Sequence, residues 1–213
     1  LVEMMLKHDL LSIPIIHNGE LCGLETLLTA KSNKKLKNPV FIMAGGFGKR
    51  LRPLTDNCPK PLLKLGGKPL LEILMNRFIE AGFVDFYIST HFLPEMIRDY
   101  FGNGEKWQVS IQYVHEEKPL GTGGALGLLP RNLPKLPVII INGDILTKVN
   151  FLNLLKCHDK NESNVTMCVR DYEYQVPFGV VNGAGGDVIS MEEKPIHRFF
   201  INAGIYVIDP GIV

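Results

Sequence analysis

From residue 39 onward, short apolar runs alternate with segments in which apolar residues recur every three or four positions. Short apolar runs are typical of buried strands, and the wider spacing is typical of helices that pack one face against a sheet. The predicted strands are residues 40–44, 84–89, 109–114, 138–142 and 165–169. The predicted helices are residues 70–81, 95–101, 123–129 and 151–158. This alternation indicates βαβ units and an α/β fold, a Rossmann-like, mostly parallel sheet with helices on both faces.

The first 38 residues follow a different pattern. A helical stretch ends near His8, and two apolar runs then flank the step Asn18-Gly19. An Asn-Gly step between apolar runs is typical of a β-hairpin. We predict that residues 1–30 form a unit of their own and that the polar, basic residues 31–38 form a linker.

The composition of the chain excludes several classes of function. The 213 residues include 46% hydrophobic residues, enough for a substantial core, and 23 Lys and Arg against 22 Asp and Glu. This balance gives no reason to expect nucleic-acid binding, so an anion site has to be local. The four cysteines lie far apart without a Cys-x-x-Cys pair, which indicates neither a zinc site nor a disulfide framework and favours a cytoplasmic protein. No apolar run has the length of a membrane span, so no membrane partner is expected.

A glycine-rich loop follows the first predicted strand, at residues 45–48. Ligands of parallel sheets bind at the carboxyl ends of strands, which marks the positions after residues 44, 89, 115 and 142 as candidate sites. Glycines let a ligand approach the backbone, and successive N–H groups bind anions. The P-loop and dinucleotide fingerprints both fail here, because neither spacing of glycines and neighbouring residues is met.

Two cations accompany this loop, Arg50 directly after it and Lys60 between two prolines. A stiff backbone holds cations in place, as phosphoryl or nucleotidyl transfer requires. An ordinary βα turn with surface cations is the alternative. The combination of glycines, prolines and two cations favours a phosphate site.

The stretch Gly-Gly-x-Gly-x-Arg-Leu-x-Pro-Leu-Thr, followed by Pro-Lys-Pro, resembles the signature of the sugar-1-phosphate nucleotidyltransferases. The similarity extends over residues 38–213 and includes more motifs in the family's order. These are PLGTGGAL at 119–126, INGDIL at 141–146, FGVV at 178–181, EEKP at 192–195 and INAGIYVID at 201–209. The resemblance implies the fold of that family, similar to the GT-A fold.

The resemblance also implies the reaction, in which a nucleoside triphosphate and a sugar 1-phosphate give a nucleoside-diphosphate sugar and pyrophosphate. Because the sugar phosphate attacks the α-phosphorus directly, positioning and charge stabilisation carry the catalysis. The implied catalytic residues are Arg50, on the leaving pyrophosphate, and Lys60, beside the α-phosphate and the incoming phosphate. Lys49 stands where the family often has Thr or another residue, and no role is predicted for it. The implied nucleotide-binding residues are Gly45, Gly46, Gly48, Gly121, Thr122 and Asn142.

Mg²⁺ is the implied cofactor, with Asp144 as its ligand. A carboxylate at the carboxyl end of a core strand suits a metal that faces phosphates, although a turn aspartate is the alternative. Family members usually hold Mg²⁺ with a second aspartate much later in the chain. The sequence begins without Met and stops at Val213. We therefore interpret it as a fragment, expect an incomplete metal site, and interpret residues 39–213 as a nucleotidyltransferase domain truncated at its C-terminus.

The sugar phosphate is expected in a pocket formed by four further residues that match the family. Glu193 can accept hydrogen bonds from sugar hydroxyls, and Lys194 can pair with the phosphate. From composition alone, an exposed charged turn before Pro195 is the alternative for this motif. The implied sugar-phosphate-binding residues are Gly179, Glu193, Lys194 and Asn202.

Residues 8–27 resemble the last part of a cystathionine-β-synthase-type (CBS) repeat. Such repeats work in pairs and often bind adenine nucleotides, which makes an adenine nucleotide a candidate partner of an intact pair. The family's Thr-x-x-Asp appears here with Thr26 in place but with Thr29 instead of the aspartate.

The leading interpretation is an enzyme, a sugar-phosphate nucleotidyltransferase preceded by part of a CBS module. Guanylyl transfer from GTP to a hexosamine or hexose 1-phosphate is the favoured version, while base, sugar and a homo-oligomeric state stay open. A catalytically inactive, nucleotide-binding regulator is the second interpretation, but it has no need of Arg50, Lys60 and Asp144 together. A glycosyltransferase would require an Asp-x-Asp motif, which the sequence lacks.

Overall fold

The structure, a computed structural model, describes residues 2–17, 19–27 and 35–212. The strands are β1 (Ser12–His17), β2 (Glu20–Thr26), β3 (Val40–Met43), β4 (Lys64–Leu65), β5 (Lys68–Pro69), β6 (Asp85–Thr90), β7 (Ser110–His115), β8 (Val138–Asn142), β9 (Val165–Gln175), β10 (Gly179–Ala184), β11 (Asp187–Glu193) and β12 (Ile196–Ile208). The α-helices are α1 (Val2–Lys7), α2 (Leu70–Glu80), α3 (Pro94–Phe101), α4 (Gly121–Gly124) and α5 (Phe151–Lys160). Single 3₁₀ turns occur at Lys49–Leu51, Lys60–Leu62, Glu105–Trp107 and Ala125–Leu128. None of the helices in the described ranges is long and apolar enough to cross a membrane.

A six-stranded sheet in the order β7-β6-β3-β8-β12-β9 forms the centre of the molecule. The first four strands are parallel, and β12 is antiparallel to both of its neighbours. The chain leaves β3 toward β6 on one side and later returns to β8 on the other side. This reversal is a topological switch point, and ligands of open α/β sheets bind in the crevice beyond such a point.

Both faces of the sheet are covered, because its strands are apolar at successive positions. Val40 and Ile42 of β3 face a core built with α2, α3 and α5, while Phe41 faces a second core closed by the 3₁₀ turn after α4. Within the first core, Phe78 of α2 stacks on Phe151 of α5 with ring centroids 3.7 Å apart. The α/β prediction with helices on both faces is confirmed, with the longer helices on one face.

The predicted elements from residue 39 onward are all present, with shifts of a few residues at their ends. Two differ in kind. The helix predicted at 123–129 is a single α-helical turn, α4, followed by a 3₁₀ turn, because four glycines between positions 121 and 127 disfavour a longer helix. The strand predicted at 165–169 continues to Gln175 as β9.

The predicted N-terminal hairpin is also present. β1 and β2 pair with each other antiparallel and form a two-stranded sheet separate from the central one. Residues 31–34, half of the predicted linker, lie outside the described residues, as do residues 28–30 before it and the turn residue Asn18. Leu36, near the end of that linker, forms a parallel bridge with Phe83 and so adjoins the central sheet.

The outer halves of β9 and β12 extend past the central sheet and, together with the β10–β11 hairpin, form what we call the ribbon (residues 170–202). Its side chains are mostly exposed; Phe200, for example, is 77% exposed. Backbone pairing and a surface ion pair between Arg198 and Glu173 (2.8 Å) hold it together. The ribbon therefore has little core of its own.

Candidate nucleotide-binding site

A cleft of about 620 Å³ lies at the carboxyl ends of β3 and β8, at the switch point of the sheet. Its walls come from segments far apart in sequence, which the parallel strands bring to one edge. Eight of the predicted site residues line it: Gly45, Gly46, Gly48, Arg50, Lys60, Gly121, Asn142 and Asp144. The cleft thus unites the predicted catalytic and metal residues with all predicted nucleotide residues except Thr122.

The glycine loop passes close to its neighbours at two positions. A Cβ on Gly45 would lie 2.8 Å from Glu116 Oε1, and a Cβ on Gly48 would lie 2.9 Å from the Thr55 methyl group. Gly48 also has a φ of 62°, which disfavours L-residues with a side chain. The buried Thr55 hydroxyl donates to the Gly48 carbonyl at 2.9 Å. These contacts fix the loop against the cleft wall. At Gly46, by contrast, nothing lies within 4 Å of where a Cβ would be, so the loop is open there.

Three cations line the cleft. Lys49 and Arg50 belong to the 3₁₀ turn that begins directly after Gly48, and Lys60 begins a second 3₁₀ turn between Pro59 and Pro61. The turns place cations of distant sequence positions around one space. Such an arrangement suits the several negative charges of a triphosphate.

Asp144 lies opposite these cations because the end of β8 packs tightly on the end of β3. The Gly143 N–H donates to the Met43 carbonyl at 2.8 Å, and a Cβ on Gly143 would lie 3.0 Å from the same oxygen. Lys60 Nζ donates to Asp144 Oδ2, and the two side chains are 31% and 35% exposed. The Asp144 carboxylate therefore already faces a positive charge inside the cleft.

The fit of Asp144 to a metal can be judged from these contacts. Within the described ranges, no three or more His, Cys, Asp or Glu side chains cluster in a way that could hold a metal ion. A single carboxylate provides one ligand position, and Mg²⁺ commonly takes one or two carboxylates together with phosphate oxygens and water. Asp144 fits as one ligand of a metal that also binds a phosphate-bearing substrate, and the magnesium prediction stays a prediction.

Glu116 is a cleft residue that the sequence analysis did not identify. The residue is only 6% exposed, and its carboxylate accepts the Leu120 N–H at 3.1 Å through Oε2 and turns Oε1 toward Gly45. His91 Nδ1 lies 2.6 Å from its backbone carbonyl oxygen. The signal was present in the sequence, since the position after His115 is a predicted strand end and an acidic residue follows it directly.

The predicted sugar-phosphate residues lie in the ribbon or at its base and do not line the cleft. Gly179 pairs with Glu193 across the β10–β11 hairpin, and Lys194 Nζ lies 3.7 Å from Glu193 Oε1. Asn202 accepts the Gly204 N–H at 2.8 Å. The structure thus separates a compact cleft from an exposed group of ribbon residues.

One close contact joins the two groups. A Cβ on Gly204, which has a φ of 71°, would lie 2.5 Å from Asn142 Nδ2 at the cleft wall. Thr122 lies in α4 beside Gly121, and its side chain is outside what the structure describes. Among the residues predicted to bind the sugar phosphate, Asn202 therefore adjoins the cleft through its neighbour Gly204.

Comparisons with known proteins agree with this geometry. The sequence matches the family described as Nucleotidyl transferase over residues 40–213. It is 35% identical over 180 residues to a mannose-1-phosphate guanyltransferase of Yarrowia lipolytica, with 81% of this chain and 50% of the relative covered. It is 34% identical over 173 residues to the D-glycero-alpha-D-manno-heptose 1-phosphate guanylyltransferase of Aneurinibacillus thermoaerophilus, covering 81% of this chain and 75% of the relative.

Among solved structures, HddC from Yersinia pseudotuberculosis complexed with GMP-PN is similar, with a TM-score of 0.64, 25% identity and coverage of 83% of this chain and 78% of that one. The chain spans about half the length of the curated mannose-1-phosphate enzymes it matches, such as 50% of the Yarrowia lipolytica protein and 49% of one from Mycobacterium tuberculosis. The family match covers most of the chain and includes the whole cleft. The chain belongs to the nucleotidyl transferase family.

Proposed function

We propose that the protein transfers a guanylyl group from GTP to a sugar 1-phosphate, giving a GDP-sugar and pyrophosphate. The observation that carries this proposal is the gathering of Arg50, Lys60 and Asp144 around one glycine-bordered cleft at the switch point of the sheet. A protein that only binds a nucleotide has no need of opposed cations and a carboxylate at the phosphates. The main alternative, an inactive nucleotide-binding regulator, is therefore less well supported.

In the proposed reaction, an oxygen of the sugar phosphate forms a bond to the α-phosphorus of GTP. The bond from that phosphorus to the oxygen bridging to the β-phosphate breaks, and pyrophosphate leaves with the electron pair. Lys60 offsets the charge that builds on the α-phosphoryl group, and Arg50 offsets the charge on the leaving pyrophosphate. Backbone N–H groups of Gly45 and Gly46 hold the nucleotide so that the attack is in line.

We propose Asp144 as a ligand of Mg²⁺, with phosphate oxygens and water as the other ligands. When bound, the ion supplies further positive charge to the phosphates. Lys60 Nζ also contacts Asp144. Phosphate oxygens would compete with Asp144 for this ammonium group, and Lys60 would then release the carboxylate as the substrate binds.

Glu116 supports guanine as the base. A carboxylate accepts hydrogen bonds and donates none, and guanine presents two adjacent donors, N1–H and N2–H₂, on its Watson–Crick edge. Adenine, cytosine and uracil each place an acceptor beside their donor there, which would face the carboxylate without a partner. Glu116 is buried and faces Gly45 and Leu120, next to Gly121 and Thr122, the residues predicted to lie against the base.

The names of the relatives support the same base and narrow the sugar. Two of the similar proteins are mannose-1-phosphate enzymes that transfer a guanylyl group, and a third acts on a manno-heptose 1-phosphate. We propose a hexose or heptose 1-phosphate of manno configuration, bound by Gly179, Glu193, Lys194 and Asn202. These residues are held by the ribbon, which adjoins the cleft through Gly204.

The test is a panel of GTP, ATP, UTP and CTP crossed with mannose, glucose and glucosamine 1-phosphates, with pyrophosphate release as the readout. We expect GTP with a manno sugar to give the highest kcat/KM. The isosteric Glu116→Gln variant should lower kcat/KM for GTP by about 10–100-fold, as for a lost hydrogen bond to a charged group, and should reduce the preference over ATP. Tight GTP binding without pyrophosphate release from any pair would favour the inactive regulator, and an unchanged base preference would remove Glu116 from base recognition.

We also propose that residues 1–30 are part of a CBS-type repeat joined by a linker to the domain at 39–213, and that an intact pair of such repeats binds an adenine nucleotide. The helix α1 and the β1–β2 hairpin support this assignment. The four free cysteine thiols fit a reducing, cytoplasmic compartment. Calorimetry with AMP and ATP, and light scattering for a homo-oligomer, test the partner proposals independently of catalysis.

A further inference from the structure

The charge balance of the cleft singles out Lys49. Of the three cations at the cleft, Lys60 contacts Asp144, whereas Lys49 and Arg50 form no ion pair within the ranges that the structure describes. Two adjacent positive charges are therefore left without neutralisation in a cleft that also exposes backbone N–H groups. Uncompensated cations at such a place attract further negative charge.

The Lys49 ammonium group is held by an aromatic ring. Its Nζ lies 5.5 Å from the centroid of the Phe47 ring, within the range of a cation–π contact. The Phe47 ring is itself fixed by two rings that follow β6, an edge contact with His91 at 5.0 Å and a tilted contact with Phe92 at 5.8 Å. A ring can orient an ammonium group without neutralising its charge, as a carboxylate would.

We propose that Lys49 is a third phosphate-binding cation, which acts with Arg50 on the terminal phosphates of the nucleoside triphosphate and on the pyrophosphate product. The inference rests on the proposed function and adds a residue to it. Lys60 remains with the α-phosphate, because its 3₁₀ turn faces Asp144 across the cleft. Phe47 acts as a positioning residue, since its ring orients the Lys49 ammonium group.

This assignment has a consequence for ligand preference. A neutral side chain at position 49, such as threonine, would bring no net charge to a phosphate. The positive charge of Lys49 favours ligands with more phosphate charge, and its interaction weakens with salt. The protein should therefore discriminate GTP and pyrophosphate from GMP more strongly than it would with a neutral residue at this position.

The experiment compares Lys49→Met with the wild-type protein by calorimetry in the absence of a sugar phosphate, which separates binding from turnover. We expect the affinity for GTP and for pyrophosphate to fall by about fivefold, as for one lost charged contact of an exposed side chain, while the affinity for GMP stays unchanged. Lys49→Arg should restore most of the loss, and Phe47→Leu should cause a smaller loss in the same direction. The affinity of the wild-type protein for GTP should also fall more steeply with salt than that of Lys49→Met.

Lys106 supplies a matched control, because its Nζ lies 4.7 Å from the Trp107 ring and 5.5 Å from the Tyr100 ring but it does not line the cleft. Lys106→Met should leave the affinities for all three ligands unchanged. Unchanged GTP affinity in Lys49→Met, or equal losses for GTP and GMP, would overturn the Lys49 proposal while the proposed reaction could still be observed. A wild-type protein that binds neither GTP nor pyrophosphate would overturn both.

Discussion

The cleft and the ribbon hold their proposed functional residues in different structural settings. Cleft residues follow strands of the central sheet whose side chains are buried on both faces, and close backbone contacts such as Gly143 with Met43 fix the loops. Ribbon residues such as Glu193 and Lys194 sit on a two-stranded hairpin whose side chains are exposed. The protein thus holds the proposed phosphate site rigidly and the proposed sugar site loosely.

The difference follows from what each step requires. Charge stabilisation depends steeply on distance, so misplacement by about 1 Å can lower a rate by about 10²-fold. Recognition of sugar hydroxyls depends on several hydrogen bonds that a hairpin can form as the ligand binds. A rigid cleft beside an adaptable ribbon therefore suits an enzyme in which the phosphate chemistry is fixed while the sugar substrate can differ.

The largest expected effect is on stability, in the core beneath the cleft. Phe78→Ala removes a ring that stacks on Phe151 at 3.7 Å, and it should lower the free energy of unfolding by about 3–5 kcal/mol. Phe200→Ala, in the ribbon, should change it by less than about 0.5 kcal/mol because Phe200 is 77% exposed. Urea unfolding measures both, and similar losses would show that the ribbon has a core of its own.

The second expected effect is on turnover without a comparable loss of stability. Arg50→Ala and Lys60→Ala should each lower kcat by about 10²–10³-fold, as for removal of other groups that stabilise transition-state charge. The free energy of unfolding should change by less than about 1 kcal/mol, because both side chains are partly exposed. Arg52→Ala is the control, since Arg52 pairs with Asp56 at 3.4 Å and does not line the cleft. Normal turnover in both Arg50→Ala and Lys60→Ala would show that neither residue stabilises charge in the transition state.

A third comparison tests how tightly the cleft is built. Gly45→Ala places a methyl group 2.8 Å from Glu116 Oε1 and 3.3 Å from His91 Cβ, and it should cost about 1–3 kcal/mol of stability and weaken GTP binding. Gly46→Ala has nothing within 4 Å of the new methyl group and should be neutral or stabilise slightly. Thermal unfolding with and without GTP distinguishes them. Equal tolerance of both would mean that the loop moves more freely than the contacts indicate.

The smallest expected effect concerns the ribbon. Lys194→Met should raise KM for the sugar 1-phosphate by about tenfold while leaving GTP affinity and unfolding unchanged, because Lys194 is proposed to contact only the sugar phosphate. Arg198→Met, another exposed ribbon cation, is the control and should leave this KM unchanged. A matching loss of GTP affinity in Lys194→Met would show that ribbon and cleft are not independent.

Sequence reasoning predicted the cleft better than the ribbon, for a physical reason. Core strands such as β3 and β8 are unbroken apolar runs, so the strand ends could be located from the pattern, while the roles predicted for Arg50 and Asp144 came from the family resemblance. The outer half of β9 is an exposed run of polar and aromatic residues, and its pairing with the distant β12 decides its structure. The strand end before Glu116 was marked by the sequence, but its approach to Gly45 was not, because the tertiary structure brings these two residues together.

The position of β12 has a consequence for synthesis on the ribosome. β12 ends at Ile208, but it lies inside the sheet between β8 and β9, where it pairs Ile205 with Ile141 and Ile208 with Val138. From the time β8 emerges until β12 follows, one edge of an almost wholly aliphatic strand has no partner strand from its own chain. At about 5–20 residues per second this interval lasts several seconds, and unpaired apolar edges are where nascent chains associate wrongly. The last strand of this sheet to be synthesised is thus also the one whose late arrival leaves β8 with an unpaired edge until residue 208 has emerged.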